Sequence, residues 1–225
     1  MRNKEDYWRE YYTDYGKREV PWLDYSNAGV QAQSLAAAME AVGPVLGCRC
    51  LDVGCGNGQL SRMLLDMGAS AVTALDISKP LIEANQLRTP AVNWVCGSPS
   101  SIILEGKFDR ILLVEVLQYL ELETVLQKLW RETNPGGLVT AIVPNGECPI
   151  VQRARDRFDS NYEAPGPAQL ASAVRSLEAV EGAWIRGFFF QENQAISPYR
   201  ATGWEIEPRW ESPPNRLQIV VIKAK

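Results

Sequence analysis

The sequence predicts an α/β protein built on one doubly wound, mostly parallel, seven-stranded sheet. Three observations predict it. Short apolar runs alternate with stretches of helical periodicity between residues 46 and 146, the rhythm of βαβ units whose parallel sheet is covered on both faces. The first of these runs ends in a glycine-rich turn, Gly54-Cys55-Gly56-Asn57-Gly58, which opens a helix. The chain has 225 residues, 46% of them hydrophobic and 22% charged. That is enough for one full core and short for two, and it excludes wholesale disorder.

The elements follow in order. Residues 1–45 read as a helical cap. Tyr7, Trp8, Tyr11, Tyr12 and Tyr15 share one helical face ended by Gly16. Asn27 can cap a second helix with Val30, Leu35, Met39 and Val42 inward, stopped by Gly43-Pro44. Residues 46–146 form the core. Its strands are Cys48 to Val53, Ala71 to Leu75, Val92 to Cys96, Arg110 to Val114 and Leu138 to Val143. Leu60, Met63, Leu64 and Met67 set the helix after the first strand, Pro80 to Leu87 the next, and Val125, Leu126, Leu129 and Trp130 the apolar side of a third. Residues 147–190 read as a lid insertion after the fifth strand, with a helix near Ala168 to Val180 and the apolar run Gly187 to Phe190. Residues 191–225 read as a helix from Ala195 to Thr202 and a closing antiparallel hairpin. Its strands are Gly203 to Ile206 and Leu217 to Lys223, turning at Pro213-Pro214-Asn215.

Composition narrows the function. A net charge of −4 argues against holding nucleic acid by bulk charge. The chain has no His, so chemistry runs without imidazole as base or metal ligand. The five Cys are odd in number and the segment Met1 to Asp6 is charged, which argues against a secreted disulfide scaffold. Apolar runs fall far short of the ~20 residues that span a bilayer. A reduced, cytoplasmic protein with no membrane partner is expected. Cys48-x-Cys50 with Cys55 lacks zinc spacing, so no metal is expected.

The glycine turn carries the chemistry. A pyrophosphate-binding loop wants G-x-G-x-x-G; here the spacing is G-x-G-x-G and Gln59 stands where the last glycine belongs. Asp52, two places before the first glycine, would repel a pyrophosphate and suit an ammonium group. Asp76, at the end of the second strand, can accept two hydrogen bonds from a ribose diol. A nicotinamide-dependent oxidoreductase is disfavoured on the first two grounds.

Residues 51–145 resemble the core of the class I S-adenosylmethionine-dependent methyltransferases, which have a Rossmann-like fold. The resemblance is carried by Leu51 to Gly58, by Ala74-Leu75-Asp76-Ile77-Ser78, by Cys96-Gly97-Ser98, by Phe108 to Glu115, and by Asn134 to Leu138. It implies S-adenosyl-L-methionine as cofactor and S-adenosyl-L-homocysteine as product. Gly54, Cys55, Gly56 and Asn57 would lie beside the methionine part, Asp52 would reach its amino group directly or through water, and Asp76 would hold the ribose. Ile77 would pack on the adenine, with Ser98 where the family often has Asp, and Glu115 and Val116 would line the floor near the sulfonium. A methyltransferase-like binding protein without turnover shares these residues.

The implied reaction is in-line methyl transfer to a small-molecule acceptor, expected at an oxygen of a secondary metabolite or sugar, with nitrogen or carbon as the near alternative. A hydroxyl acceptor profits from a base, and the candidates are Glu115, Glu147 and Asp14. Tyr12, Tyr15, Trp22, Tyr119 and Phe189 are the candidate acceptor contacts. Together with Trp8, Phe188 and Phe190 they would build an apolar lid whose ring faces attract the sulfonium charge.

Overall fold

The computed structural model describes residues 6–7, 9–10, 28–158, 162–192, 195–206 and 208–225. Eight strands form one sheet in the order β3-β2-β1-β4-β5-β8-β6-β7. They are β1 (Arg49–Val53), β2 (Ala71–Asp76), β3 (Asn93–Cys96), β4 (Phe108–Val114), β5 (Thr133–Pro144), β6 (Val180–Glu192), β7 (Ala195–Ala201) and β8 (Arg216–Lys223). The β1–β2, β1–β4, β2–β3 and β4–β5 pairs are parallel, while β8 runs antiparallel to both β5 and β6. This is the doubly wound mixed sheet the alternation predicts, with β7 added at the edge beside β6.

Helices cover the sheet: α1 (Ala28–Val42), α2 (Gln59–Asp66), α3 (Lys79–Arg88), α4 (Leu122–Arg131), α5 (Pro149–Phe158) and α6 (Pro167–Arg175). Both faces are buried, and successive residues of one strand enter opposite clusters. Leu51, Val53, Ile111, Leu113 and Val139 pack with Leu126, Leu129 and Leu170 on one side. Cys50, Val72, Ala74, Leu112 and Ile142 pack with Leu35, Leu60 and Leu64 on the other. That explains why the strands read as continuous apolar runs rather than alternating ones.

The C-terminal third departs from expectation. Ala195–Ala201 is strand β7, not a helix; β-branched and aromatic residues there outweigh weak helical spacing once β6 offers an open edge. The expected hairpin partner of Leu217 to Lys223 is not Gly203 to Ile206. The partner is β6, paired from Val180↔Lys223 to Phe188↔Arg216, and Glu205 makes only an isolated bridge to Ile185. Residues 180–190, expected in the lid, therefore belong to the sheet. The rest of the expected lid segment lies before them and contains α5, which the sequence pattern did not reveal.

The two-sided core sets a prediction. Leu112 and Leu113 are both fully buried, so Leu112→Ala and Leu113→Ala should each cost about 2–5 kcal/mol in urea unfolding. A sheet with one wet face would give one large loss and one close to zero.

Candidate active site

The glycine turn sits at the carboxyl end of β1 and is latched to the neighbouring βα unit. Gly54 and Cys55 both donate their backbone N–H to the Leu75 carbonyl, at 2.7 and 3.0 Å. Gly56 donates its N–H to Asp76 Oδ2 at 2.8 Å, and its carbonyl accepts from Asn85 Nδ2 at 2.8 Å. Ser78 N–H bonds the other Asp76 oxygen at 2.8 Å. Asp76 thus spans two loops. Burial raises its pKa, against the pull of the Ser78, Gly56 and Ile77 amides. Asn85 was not foreseen. Its only sequence signal is a polar residue on the inward side of α3.

The glycines have separate reasons. A Cβ on Gly54 would meet Val116 Cγ2 at 2.6 Å, and one on Gly58 would meet Trp94 at 2.5 Å. A Cβ on Gly56 would meet nothing within 4 Å. All three have positive φ. The turn is therefore packed on its flanks and open at Gly56, the shape of a cradle for a ligand that approaches the backbone.

Asp52 is not brought to that open face. It is 2% exposed, beneath the turn, and accepts a 2.6 Å hydrogen bond from Ser61 Oγ at the start of α2. Burial pushes its pKa up to about 7, with the Ser61 bond lowering it and Asp76 raising it. Asn57 is exposed, and its Oδ1 accepts the Gln59 N–H at 3.1 Å, steadying the entry to α2. Ser98 is buried, and its hydroxyl oxygen accepts the Ser100 N–H at 3.2 Å, which closes its own turn. Ile77 is half-buried beside Asp76.

Glu115 departs most from its expected part. It holds φ +56 one residue after β4, and its Oε1 lies 2.6 Å from Arg216 Nε, with both side chains almost fully buried. Ser34 Oγ donates to the same oxygen at 3.4 Å. Burial lowers the Arg216 pKa, but Glu115, Tyr162 and Tyr119 outweigh it and the guanidinium ends above its usual range. A carboxylate held by a buried guanidinium is a poor proton acceptor, so Glu115 is placed as an anchor and not as a base. Val116 does lie on the turn, against Gly54.

Residues 162–165, in the segment expected to form a lid, dock on the same edge of the sheet. Glu163 N–H bonds the Gln118 carbonyl at 3.0 Å, and Gln118 Nε2 bonds the Glu115 carbonyl at 2.8 Å. Gly146 N–H bonds the Pro165 carbonyl at 3.1 Å. Tyr162 and Tyr119 meet edge to face, with ring centroids 5.9 Å apart. Cys148, Ile150, Val151 and Tyr162 form a cluster that Tyr7 and Tyr119 join. Tyr7 therefore ties the N-terminal helical segment to the lid. Glu147 is exposed and lines two cavities under the lid, of about 410 and 360 Å³. Phe188 is buried in the core, not in the lid. Tyr12, Asp14, Tyr15 and Trp22 lie outside the described residues, as does the side chain of Phe189. Among the described residues, no group of three or more His, Cys, Asp or Glu is placed to hold a metal, and no helix is long and apolar enough to cross a membrane.

Comparison with known proteins agrees with this geometry. Residues 51–141 match the family described as methyltransferase domain. Residues 51–141 thus carry the methyltransferase domain of the class I S-adenosylmethionine-dependent type. It is 30% identical over 162 residues to the malonyl-[acyl-carrier protein] O-methyltransferase of Pseudescherichia vulneris, a stretch covering 71% of this chain and 64% of that protein. The chain thus spans less than two thirds of that relative's length. The fold matches an S-adenosylmethionine-dependent methyltransferase structure from Thermotoga maritima, described as a possible histamine N-methyltransferase. The TM-score is 0.69 and the identity 16%, over 99% of this chain and 100% of that one. It also matches the N-methyltransferase NodS of Bradyrhizobium japonicum in complex with S-adenosyl-L-homocysteine, with TM-score 0.63 and 15% identity over 99% of both chains. S-adenosylmethionine is the cofactor of this methyltransferase family.

The raised Asp52 pKa fixes the sign of a pH effect. The unfolded carboxyl ionises near its ordinary value of 3.8, whereas the folded one ionises near about 7. Between those values the folded chain holds the extra proton, so this group's contribution to stability falls as pH rises from about 4 to about 7 and is constant beyond. Relative to Asp52→Asn, the natural protein should lose on the order of 2–4 kcal/mol across that window, read as the difference between the two urea midpoints. An unchanged difference from pH 4 to pH 8 would show that the carboxyl is not buried in this way.

Proposed function

We propose that the chain is an S-adenosylmethionine-dependent methyltransferase acting on an oxygen of a small-molecule acceptor. The observation that carries the cofactor side is the open backbone at Gly56 between packed flanks, beside the Asp76 carboxylate. The acceptor side is favoured towards oxygen by the O-methyltransferase named among the relatives.

S-adenosylmethionine supplies a methyl group already activated on a sulfonium. The chain's residues then have three tasks. The Gly54 to Asn57 turn would hold the methionine part, with the Gly56 backbone closest. Asp76 would accept the ribose hydroxyls beside the backbone amides that fix it. Ile77 would flank the adenine, and the Gly97-Ser98 turn would face its edge. Val116 would form the floor. Asp52 would act from below, fixing α2 through Ser61, whereas contact with the amino group would require that bond to break.

Positioning and exclusion of water supply most of the acceleration in such a displacement. The lid and the N-terminal segment carrying Tyr7 are the elements placed to exclude water. Glu147, exposed over the lid cavities, is the remaining carboxylate candidate for an acceptor contact.

Two measurements test the proposal. Calorimetry should show S-adenosylmethionine and S-adenosylhomocysteine binding and NADPH not binding, and Asp76→Asn should weaken both about tenfold or more. Deleting residues 1–20 should lower the turnover rate by tenfold or more through loss of the cover. Heat with NADPH and none with the sulfonium compound would overturn the cofactor assignment; unchanged turnover after the deletion would remove the N-terminal segment from the lid.

A further inference from the structure

We propose that Asn85 is a specificity-determining positioning residue: by fixing the Gly56 backbone it makes the site select nucleosides that carry the methionine tail over those that lack it. The inference rests on the methyltransferase reading above and deepens it at the cofactor turn.

The first argument is the position of Asn85. Ile82 and Asn85 are the buried residues of α3, about one turn apart on one face. Ile82 packs in the apolar cluster that holds Leu60, Leu64 and Val72. Asn85 is only 2% exposed, at a place where an apolar side chain would continue that packing. A buried amide is costly unless its hydrogen bonds are made. Here Nδ2 donates to the Gly56 carbonyl at 2.8 Å. The helix that presents it is fastened at both ends. Its N-cap residue, Ser78, donates its N–H to Asp76 Oδ1 at 2.8 Å. The carbonyl of its C-cap residue, Thr89, accepts from Trp94 Nε1 on β3, also at 2.8 Å. Gly58 leaves room for the reach, because a Cβ there would meet Asn85 Cγ at 3.0 Å.

The second argument is what else could hold Gly56. It has φ +51 and nothing within 4 Å of the place a Cβ would take. Glycine crosses between backbone conformations at little steric cost, so neither torsional preference nor packing fixes this residue. Two hydrogen bonds do, one on each of its polar groups: the N–H on Asp76 Oδ2 and the carbonyl on Asn85. Without Asn85 the carbonyl has lost its donor and can swing towards the open face of the turn. The two ends of the cofactor depend on this differently. In the reading above, Gly54 to Asn57 hold the methionine tail and Asp76 holds the ribose. Asp76 keeps the Ser78 amide on its other oxygen when the Gly56 carbonyl moves. The adenosine end is therefore held independently of Asn85, and the tail is not. Asn85 acts on the tail through Gly56.

The test is calorimetry on the full chain with S-adenosylmethionine, S-adenosylhomocysteine and 5′-methylthioadenosine, which lacks the amino-acid tail. Amide exchange of the ligand-free protein is read beside it. Asn85→Leu keeps a branched side chain and removes the donor. It should weaken binding of the two tailed compounds about tenfold and leave methylthioadenosine within about twofold, the scale expected for one buried carbonyl left without its donor. The Gly56 amide should exchange about tenfold faster, with the amides of β1 unchanged. Asn85→Asp at pH 8 has the natural shape and an ionised group that cannot donate, and it should give the same pattern. An equal loss for all three nucleosides, or faster exchange throughout β1, would reduce Asn85 to a structural part and overturn the proposal. So would unchanged affinity for S-adenosylhomocysteine, or lost affinity with Gly56 exchange unchanged. In each of these cases the natural protein still binds S-adenosylmethionine and the methyltransferase reading stands. If the natural protein binds none of the three, both fall.

Discussion

The bond from the Gly56 amide to the Asp76 carboxylate organises the cofactor end of this molecule. It joins the turn after β1 to the turn after β2, and the Ser78 amide on the second oxygen fixes the carboxylate from the far side. A carboxylate bound by backbone amides is a charge-assisted acceptor, stronger than a neutral one. The Gly56 carbonyl is closed off by Asn85, so both polar groups of that peptide are satisfied by side chains from one neighbouring unit. With Gly54 pressed on Val116, the turn has little freedom except on its open side. Preorganisation of this kind spares a ligand the cost of ordering the loop.

Buried charge is distributed unevenly around that turn. On the β1 side the partner of Asp52 is the neutral Ser61 hydroxyl, and burial drives the carboxyl towards the protonated form. On the β4 side Glu115 is paired with Arg216 at 2.6 Å. The difference has a structural origin. β8 enters antiparallel to β5 and brings its first residue, Arg216, to the carboxyl edge of the parallel strands. A parallel strand in that place would present its last residue there instead. Breaking a buried pair by removing one partner leaves a costly lone charge, so the reversed strand direction and the chemistry of the site are coupled.

The parallel half of the fold was legible because its signals are local. Each apolar run is bounded by glycine, proline or a polar turn, and Asp76 stands at the end of its strand as expected. The C-terminal half was not, because its pairing is non-local. Whether Ala195 to Ala201 becomes helix or strand depends on the edge that β6 presents, and nothing within those residues states it. The partner of β8 lies about 30 positions back at Val180 to Phe188, past a nearer run that looked equally suitable. Site residues divide the same way. The glycines and Asp76 follow from spacing. Asn85, Arg216 and Tyr162 are single polar residues in ordinary surroundings, and only the packing of β8 and the lid shows what they meet.

Glu115 shows how a side chain's part can change while its position holds. Spacing placed it at the end of the fourth strand, and it is there. A free carboxylate at that point would be a natural base. Two facts remove that part: the left-handed backbone at φ +56, unusual for a residue with a side chain, and the guanidinium waiting at β8. Strain of this sort persists only where surrounding contacts over-determine it. Here they are the Glu115 amide on the Ile142 carbonyl at 2.8 Å, its carbonyl on Gln118, and its carboxylate on Arg216. The residue is thereby committed to joining β4, β5 and β8 at the edge where the cofactor turn, the phenols and the lid converge. A group so committed cannot also swing to meet a substrate proton.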